Sequence, residues 1–459
     1  MRRLLALASS LAAALTLVGG CSTVIENQPR NLPGTQVPSV PPPADIVASH
    51  VIGLSFSGGG LRAAAFAQGV LQHLEDARSV DVLDDVTFIS SVSGGSLTAA
   101  YFGLHGRAGM REFESRVLPG DYESRMRMNP WAPENLLRML SGGVNDRSHL
   151  ADVLDRDVFR GATFADLYRR GRPDVWINAT DLFNRTPFPF IPPLFAAICS
   201  DLAALPVAEA VHASMAVPLV FAPVVLQIHA DKCPGATLAQ TTIGERARSS
   251  PLLAAAFSAV RNYRDPSTMR FVKLVDGGVT DNAGLSSILI ARAVSDTPHG
   301  PLSPRDAVRV RRMLFVIVDA GRGPGGQWTM QADGPGGMDV ALAATDSAID
   351  AAARVSMEAF HTAVARWQND VVRYRCGLTS AQQAALGVEP GWRCEDVTFE
   401  LTRISAADLP PARAAEFNAI PTRLTLSGLQ IARALAAGRD AASANPLLQR
   451  YKATRRDAP

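Results

Sequence analysis

The chain has 459 residues, 47% of them hydrophobic and 19% charged. That composition leaves room for a large core and excludes a disordered protein. The formal charge is +2 and no long basic run appears, so a nucleic-acid partner is not expected.

Arg2 and Arg3 precede an uncharged apolar stretch from Leu4 to Val18. It is short of the roughly 20 residues that span a bilayer and fits a signal peptide over 1–20. The stretch ends Leu17-Val18-Gly19-Gly20-Cys21-Ser22, which resembles a bacterial lipoprotein lipobox. The resemblance implies that Cys21 becomes the lipid-bearing first residue of the mature chain. Ser22 rather than Asp after it favours the outer membrane of a cell envelope. Losing Arg2 and Arg3 takes the charge from +2 to 0, so lipid rather than charge would hold the protein to a membrane. Residues 21–47 carry Pro29, Pro33, Pro38, Pro41, Pro42 and Pro43 and read as an extended tether.

A first strand is expected over Val51–Phe56, stopping at Ser57-Gly58-Gly59-Gly60, with a helix over Leu61–Leu74. A second strand over Val86–Ser90 turns at Ser93 into a second helix. This βαβα order implies a parallel sheet with helices on both faces. Further strands are expected at Val175–Ala179, Phe271–Val275, Met313–Val318 and Asp396–Leu401. Residues 228–264 read as an insertion, 340–368 as a long Ala-rich helix, and Leu424–Ala437 as a last amphipathic helix. The organisation is one catalytic domain over 48–325 and a mostly helical extension over 326–459 packed on it.

Besides Cys21 there are four cysteines, Cys199, Cys233, Cys376 and Cys394. An even number in an exported chain suggests disulfides. Their order favours Cys199–Cys233 and Cys376–Cys394, with other pairings and free thiols open. No Cys/His spacing fits a zinc site, so no metal is expected.

Chemistry is expected beyond the carboxyl ends of parallel strands. Three features fall there. Gly58-Gly59-Gly60-Leu61-Arg62 can point successive amides at one spot beside a helix N-terminus, suited to a phosphate or an oxyanion. It lacks the Lys and Ser/Thr of a P-loop and the third glycine of a dinucleotide fingerprint, where Ala63 stands. Ser91-Val92-Ser93-Gly94-Gly95 reads as a sharp corner exposing a serine hydroxyl, with Ser91 where a G-x-S-x-G elbow has its first glycine. Val275-Asp276-Gly277-Gly278 places a carboxylate at a strand end, with Asp281 and Asn282 set to brace its loop. Each alone is also an ordinary turn. His73, His212, His229, His299 and His361 fall in helices or loops rather than at strand ends. A serine–aspartate dyad needs none of them.

These three motifs, in this order, resemble the patatin-like phospholipases. Asn178-Ala179-Thr180-Asp181-Leu182 and Ala210–Pro223 also look like the family, and the resemblance runs from Val51 to Gly321. It implies a three-layer α/β fold with a mostly parallel sheet. It also implies Ser93 as nucleophile, Asp276 as proton acceptor, and the Gly58, Gly59 and Gly60 amides as oxyanion hole. Arg62, Gly95, Gly277 and Gly278 are supporting residues. The implied activity is phospholipase A-type ester hydrolysis without a cofactor, on phospholipid or another lipid ester. The alternatives are an esterase for neutral or soluble esters on the same dyad, and an inactive lipoprotein that binds lipid or protein.

Overall fold

The computed structural model describes residues 27–35, 43–76, 80–126, 133, 135, 138, 142–145, 147–233, 246–248, 250–323, 327–330 and 332–456. The signal segment, Cys21 and part of the tether and of the 228–264 insertion lie outside them.

The central sheet has eight strands: β1 (His50–Phe56), β2 (Val86–Val92), β3 (Asp174–Asp181), β4 (Thr186–Pro189), β5 (Val224–Gln227), β6 (Phe271–Asp276), β7 (Arg312–Asp319) and β8 (Thr398–Ser405). Their order is β8-β7-β1-β2-β3-β6-β5, with β4 paired to β3. The run from β8 to β3 is parallel. β4 and β6 are antiparallel to β3, and β5 is antiparallel to β6. This is a mixed α/β fold with a mostly parallel sheet, as expected.

Alternation along the strands explains the layers. Ile52, Leu54 and Phe56 of β1, with Leu314, Val316 and Val318 of β7, face one core with helices α1 (Gly60–Leu74), α2 (Gly94–Glu112) and α3 (Val207–Met215). Val51, Phe315 and Ile317 face a second core against α5 (Gly337–Cys376), through Phe360, Val364 and Trp367. Helix α4 (Pro251–Tyr263) lies in the expected insertion and is tied to the sheet by Tyr263 Oη donating to Asp181 Oδ2 at 2.7 Å.

The C-terminal quarter is built into this body. β8 extends the sheet, starting two residues later than the expected Asp396. Helix α6 (Gly428–Ala444) crosses α1 so closely that a Cβ on Gly69 would sit 2.1 Å from Leu435 O. The sequence reading began this helix at Leu424. Ser427, in a capping box with Gln430, starts it instead, because its hydroxyl accepts an amide that has no helical partner. A further helix, α7 (Pro446–Arg456), was not anticipated. Both disulfides form as their order favoured, Cys199–Cys233 and Cys376–Cys394.

Candidate active site

Strand β2 delivers Ser93. Its apolar run pairs with β1 as far as Ser91 and with β3 up to Val92, opposite Asn178. The chain then turns into α2 through Ser93 at φ 52° and ψ −127°. A non-glycine residue there stores about 1–3 kcal/mol, so the surroundings must hold it. The Ser96 amide donates to Ser93 O at 2.9 Å, and the Ser93 amide donates to Ser214 Oγ at 2.8 Å. Small neighbours are obligatory. A Cβ on Gly95 would lie 2.7 Å from Ser57 O, and one on Gly94 only 1.9 Å from Gly60 O. Gly94 is the tighter position, although the elbow pattern draws attention to Gly95. Ser91 fits in place of the first glycine, buried, with its hydroxyl donating to Trp176 O at 3.0 Å.

Strand β6 delivers Asp276 from the other side of β3, with Ala179 opposite Asp276. Because β6 is antiparallel, Asp276 does not share the carboxyl edge of the parallel strands by topology. It meets Ser93 because β3 runs on past that edge, and Asn178 and Ala179 are flanked by the two incoming strand ends. Ser93 Oγ donates to Asp276 Oδ2 at 2.8 Å, and Gly278 N–H donates to Oδ1 at 2.8 Å. Burial pushes the Asp276 carboxyl up to about 6, against the lowering effect of the Gly278 amide and the Ser93 hydroxyl.

The glycine turn after β1 completes the cluster. Gly59 and Gly60 have φ of 140° and 62°, open to glycine and strained for other residues. Their amides have no protein acceptor among the described residues. Gly58 differs from expectation: its amide donates to Asn282 O at 3.3 Å and to Asn282 Oδ1 at 3.2 Å. Of the three amides, those of Gly59 and Gly60 are therefore left without a protein acceptor among the described residues. Asn282 thus fastens the glycine turn. Asp281 braces its own loop, accepting from the Ala283 amide at 3.1 Å and from Ser356 Oγ of α5 at 3.0 Å.

Arg62 is buried. Its Nη1 donates to Ile420 O at 3.1 Å and its guanidinium stacks 5.6 Å from the Phe417 ring centre. Burial lowers it to about 10, so it stays charged at neutral pH. Next to it, Arg423 O accepts the Leu61 amide at 2.9 Å. The C-terminal segment thus buttresses the glycine turn. Gly277 is pinned as well, since a Cβ there would lie 2.3 Å from Asn178 O.

Ser214, inside the apolar Ala210–Pro223 segment, touches both the Ser93 corner and the Asp276 loop. Its Oγ donates to Asn178 O at 2.6 Å, accepts from Ser93 N–H, and lies 3.0 Å from Ser96 Oγ. A hydroxyl has one proton and two lone pairs. With the proton given to a carbonyl, Ser96 must be a donor, and the Ser214 hydroxyl is saturated. Its backbone carbonyl accepts the Gly277 amide at 3.1 Å, and Ala216 O accepts the Asp276 amide at 2.9 Å. One turn of α3 therefore clamps both the Ser93 corner and the Asp276 loop. Among the described residues, neither Ser93 nor Asp276 bonds to a histidine. His212 is buried against Phe221, His229 Nε2 lies 3.4 Å from Asn31 O, and His299 Nδ1 lies 2.8 Å from Leu302 O.

A family model described as patatin-like phospholipase matches residues 54–289. No curated protein matches the chain. Among solved structures, the chain is similar to VipD from Legionella pneumophila, at 12% identity over 93% of this chain and 72% of that one, with a TM-score of 0.32. It is also similar to the heterodimeric ExoU–SpcU complex of the type III secretion system of Pseudomonas aeruginosa, at 14% identity over 91% and 82%, with a TM-score of 0.24. The matched span takes in the glycine turn, the Ser93 corner and the Asp276 loop, and on it the chain belongs to the patatin-like phospholipase family.

Proposed function

We propose that the protein is a phospholipase A-type acyl hydrolase working through Ser93 and Asp276, anchored to an envelope membrane by a lipid on Cys21. Family membership supports lipid hydrolysis. The observation that carries the residue assignment is the 2.8 Å hydrogen bond from Ser93 Oγ to a buried carboxylate, beside two open amides.

In the proposed course, Asp276 accepts the Ser93 proton as Oγ attacks the ester carbonyl. The Gly59 and Gly60 amides receive the developing oxyanion, and the N-terminus of α2 adds a favourable field. Collapse returns the proton from Asp276 to the leaving lysophospholipid alkoxide and leaves an acyl ester on Ser93. Water then gives a proton to Asp276 and attacks the acyl carbon. The fatty acid leaves as Ser93 recovers its proton. A carboxylate is a weak base, so the oxyanion donors carry much of the barrier reduction. Losing one such donor typically costs about 10²–10³-fold. Ser214 is the positioning residue that holds the strained Ser93 backbone in line with Asp276.

The test is fatty-acid release from phosphatidylethanolamine–phosphatidylglycerol vesicles. Wild type is expected to release fatty acid and lysophospholipid, and Ser93→Ala to release none above the protein-free rate. Equal release by the two proteins would remove Ser93 from the mechanism. Release of neither lipid product, with rapid cleavage of p-nitrophenyl butyrate, would favour a soluble-ester esterase.

A further inference from the structure

The segment ahead of the catalytic domain reads as a free tether, but residues 27–35 are bound to the body. Asn31 is buried. Its Nδ2 donates to Ser200 Oγ at 2.9 Å and Gln227 O at 2.8 Å, and its Oδ1 accepts the Gln227 amide at 2.8 Å. The Gly34 amide donates to Cys199 O at 2.8 Å, and the Asp201 amide to Leu32 O at 2.9 Å. Arg30 pairs with Glu209 at 3.1 Å. Asn27 Nδ2 donates to Pro223 O.

Pro223 closes a turn that begins at the active site. At its other end, Ala216 O accepts the Asp276 amide. In between, Val217 O accepts both the Val220 and Phe221 amides, which folds the segment tightly and thrusts Leu219 outward. Leu219 is 60% exposed at φ 70°, a conformation that bulky residues rarely adopt. Val217 is 44% exposed, and Val279, three residues past Asp276, is 41% exposed. Residues 210–223 carry no Asp, Glu, Lys or Arg. The exposed Val217–Leu219 turn beside the candidate site is thus apolar and uncharged, which suits burial in a lipid surface.

Chain length links the rim to the anchor. Cys21 is six residues before Asn27 (27 − 21). At about 3.3–3.6 Å per residue, the leash reaches no farther than about 22 Å from Asn27, whose side chain touches the Pro223 end of the turn.

We propose that Val217, Leu219 and Val279 form the membrane-docking rim, and that the bound 27–35 segment turns this rim towards the bilayer holding the Cys21 lipid. The enzyme would then work in cis, on the leaflet that carries its own anchor. The proposal rests on the phospholipase reading and on lipidation of Cys21.

The experiment uses the full lipidated protein in proteoliposomes of phosphatidylethanolamine and phosphatidylglycerol, mixed with protein-free vesicles of the same composition. The two populations carry different isotopes in their acyl chains. Wild type is expected to hydrolyse its own vesicles at least tenfold faster than the others. The double variant Val217→Glu, Leu219→Glu is expected to lose at least tenfold of that vesicle rate. Its rate on p-nitrophenyl butyrate should stay within about twofold of wild type, which also shows that it is folded. Equal hydrolysis of the two vesicle populations would overturn orientation by the leash, and an unchanged vesicle rate in the double variant would overturn the rim. Cleavage of the soluble ester by wild type with no vesicle hydrolysis would sink the phospholipid reading itself, and this proposal with it. Failure of Cys21→Ser to release the protein from the membrane would locate the fault in the anchor.

Discussion

Asp276→Asn is expected to lower kcat by about 10²–10⁴-fold, the range for removing a general base, while making the protein more stable at pH 8. Both effects come from one feature. Burial raises the Asp276 carboxyl from 3.8 to about 6, so the folded state prefers the neutral form. That preference stabilises the fold fully below pH 3.8 and is lost as pH rises through about 6. At pH 8 the desolvated carboxylate is carried at a cost of about 3 kcal/mol, taking 1.36 kcal/mol per pKa unit. Asparagine keeps the shape and stays neutral. Its Oδ1 can accept from Gly278 N–H, and its Nδ2 can face Ser93 Oγ. Melting temperatures of the two proteins should therefore be close near pH 4 and separate in favour of the variant by pH 8. In wild type, kcat/KM should fall on the acid side with a midpoint near pH 6, because a protonated Asp276 cannot accept the Ser93 proton. A variant as active as wild type, or a flat acid limb, would contradict the assignment.

Gly94→Ala should be nearly as damaging, for steric rather than chemical reasons. The new Cβ would meet Gly60 O at 1.9 Å, Gly60 C at 2.6 Å and Gly60 Cα at 2.9 Å. All three are backbone atoms, so no flexible side chain can yield. The Ser93 corner and the glycine turn must move apart. The displacement separates Ser93 from the amides of Gly59 and Gly60. Overpacking of this kind costs about 1–3 kcal/mol or more, and a misplacement near 1 Å can cost about 10²-fold in rate. Gly428→Ala is the control, since nothing lies within 4 Å of its Cβ position. Thermal melting and p-nitrophenyl butyrate turnover of both variants test the contrast. Wild-type behaviour of Gly94→Ala would mean that the two turns are not in contact.

The parts of the site that were legible in sequence are those whose local backbone demands particular residues. Gly59 and Gly60 advertise their positive φ, Gly94 and Gly95 advertise close approach, and Asp276 stands at the end of an apolar run before two glycines. What stayed hidden was made by long-range pairing. Ser214 reaches Ser93 across 121 residues, and Asn282 takes the Gly58 amide across 224. No local pattern encodes either bond. The antiparallel run of β6 did leave a trace. Phe271 and Lys273 are exposed while Val272 and Leu274 are buried. That alternation marks a strand with one face in water and differs from the fully buried β1. The C-terminal segment meets Arg62 and Leu61 through the carbonyls of Ile420 and Arg423, and residues 27–35 dock in part through the Leu32 and Cys199 carbonyls. Carbonyls and amides are the same in every residue, so the side-chain sequence could not announce them.

The most direct test of the account is to map the site of a fluorophosphonate adduct by mass spectrometry. The protein should begin at Ser22, so that the docked 27–35 segment is kept and Cys21 is removed. One adduct per chain is expected, on Ser93, formed in wild type and absent from Ser93→Ala and from Asp276→Asn over the same exposure. An adduct on another serine, or none in protein that melts cooperatively, would contradict Ser93 as the activated nucleophile.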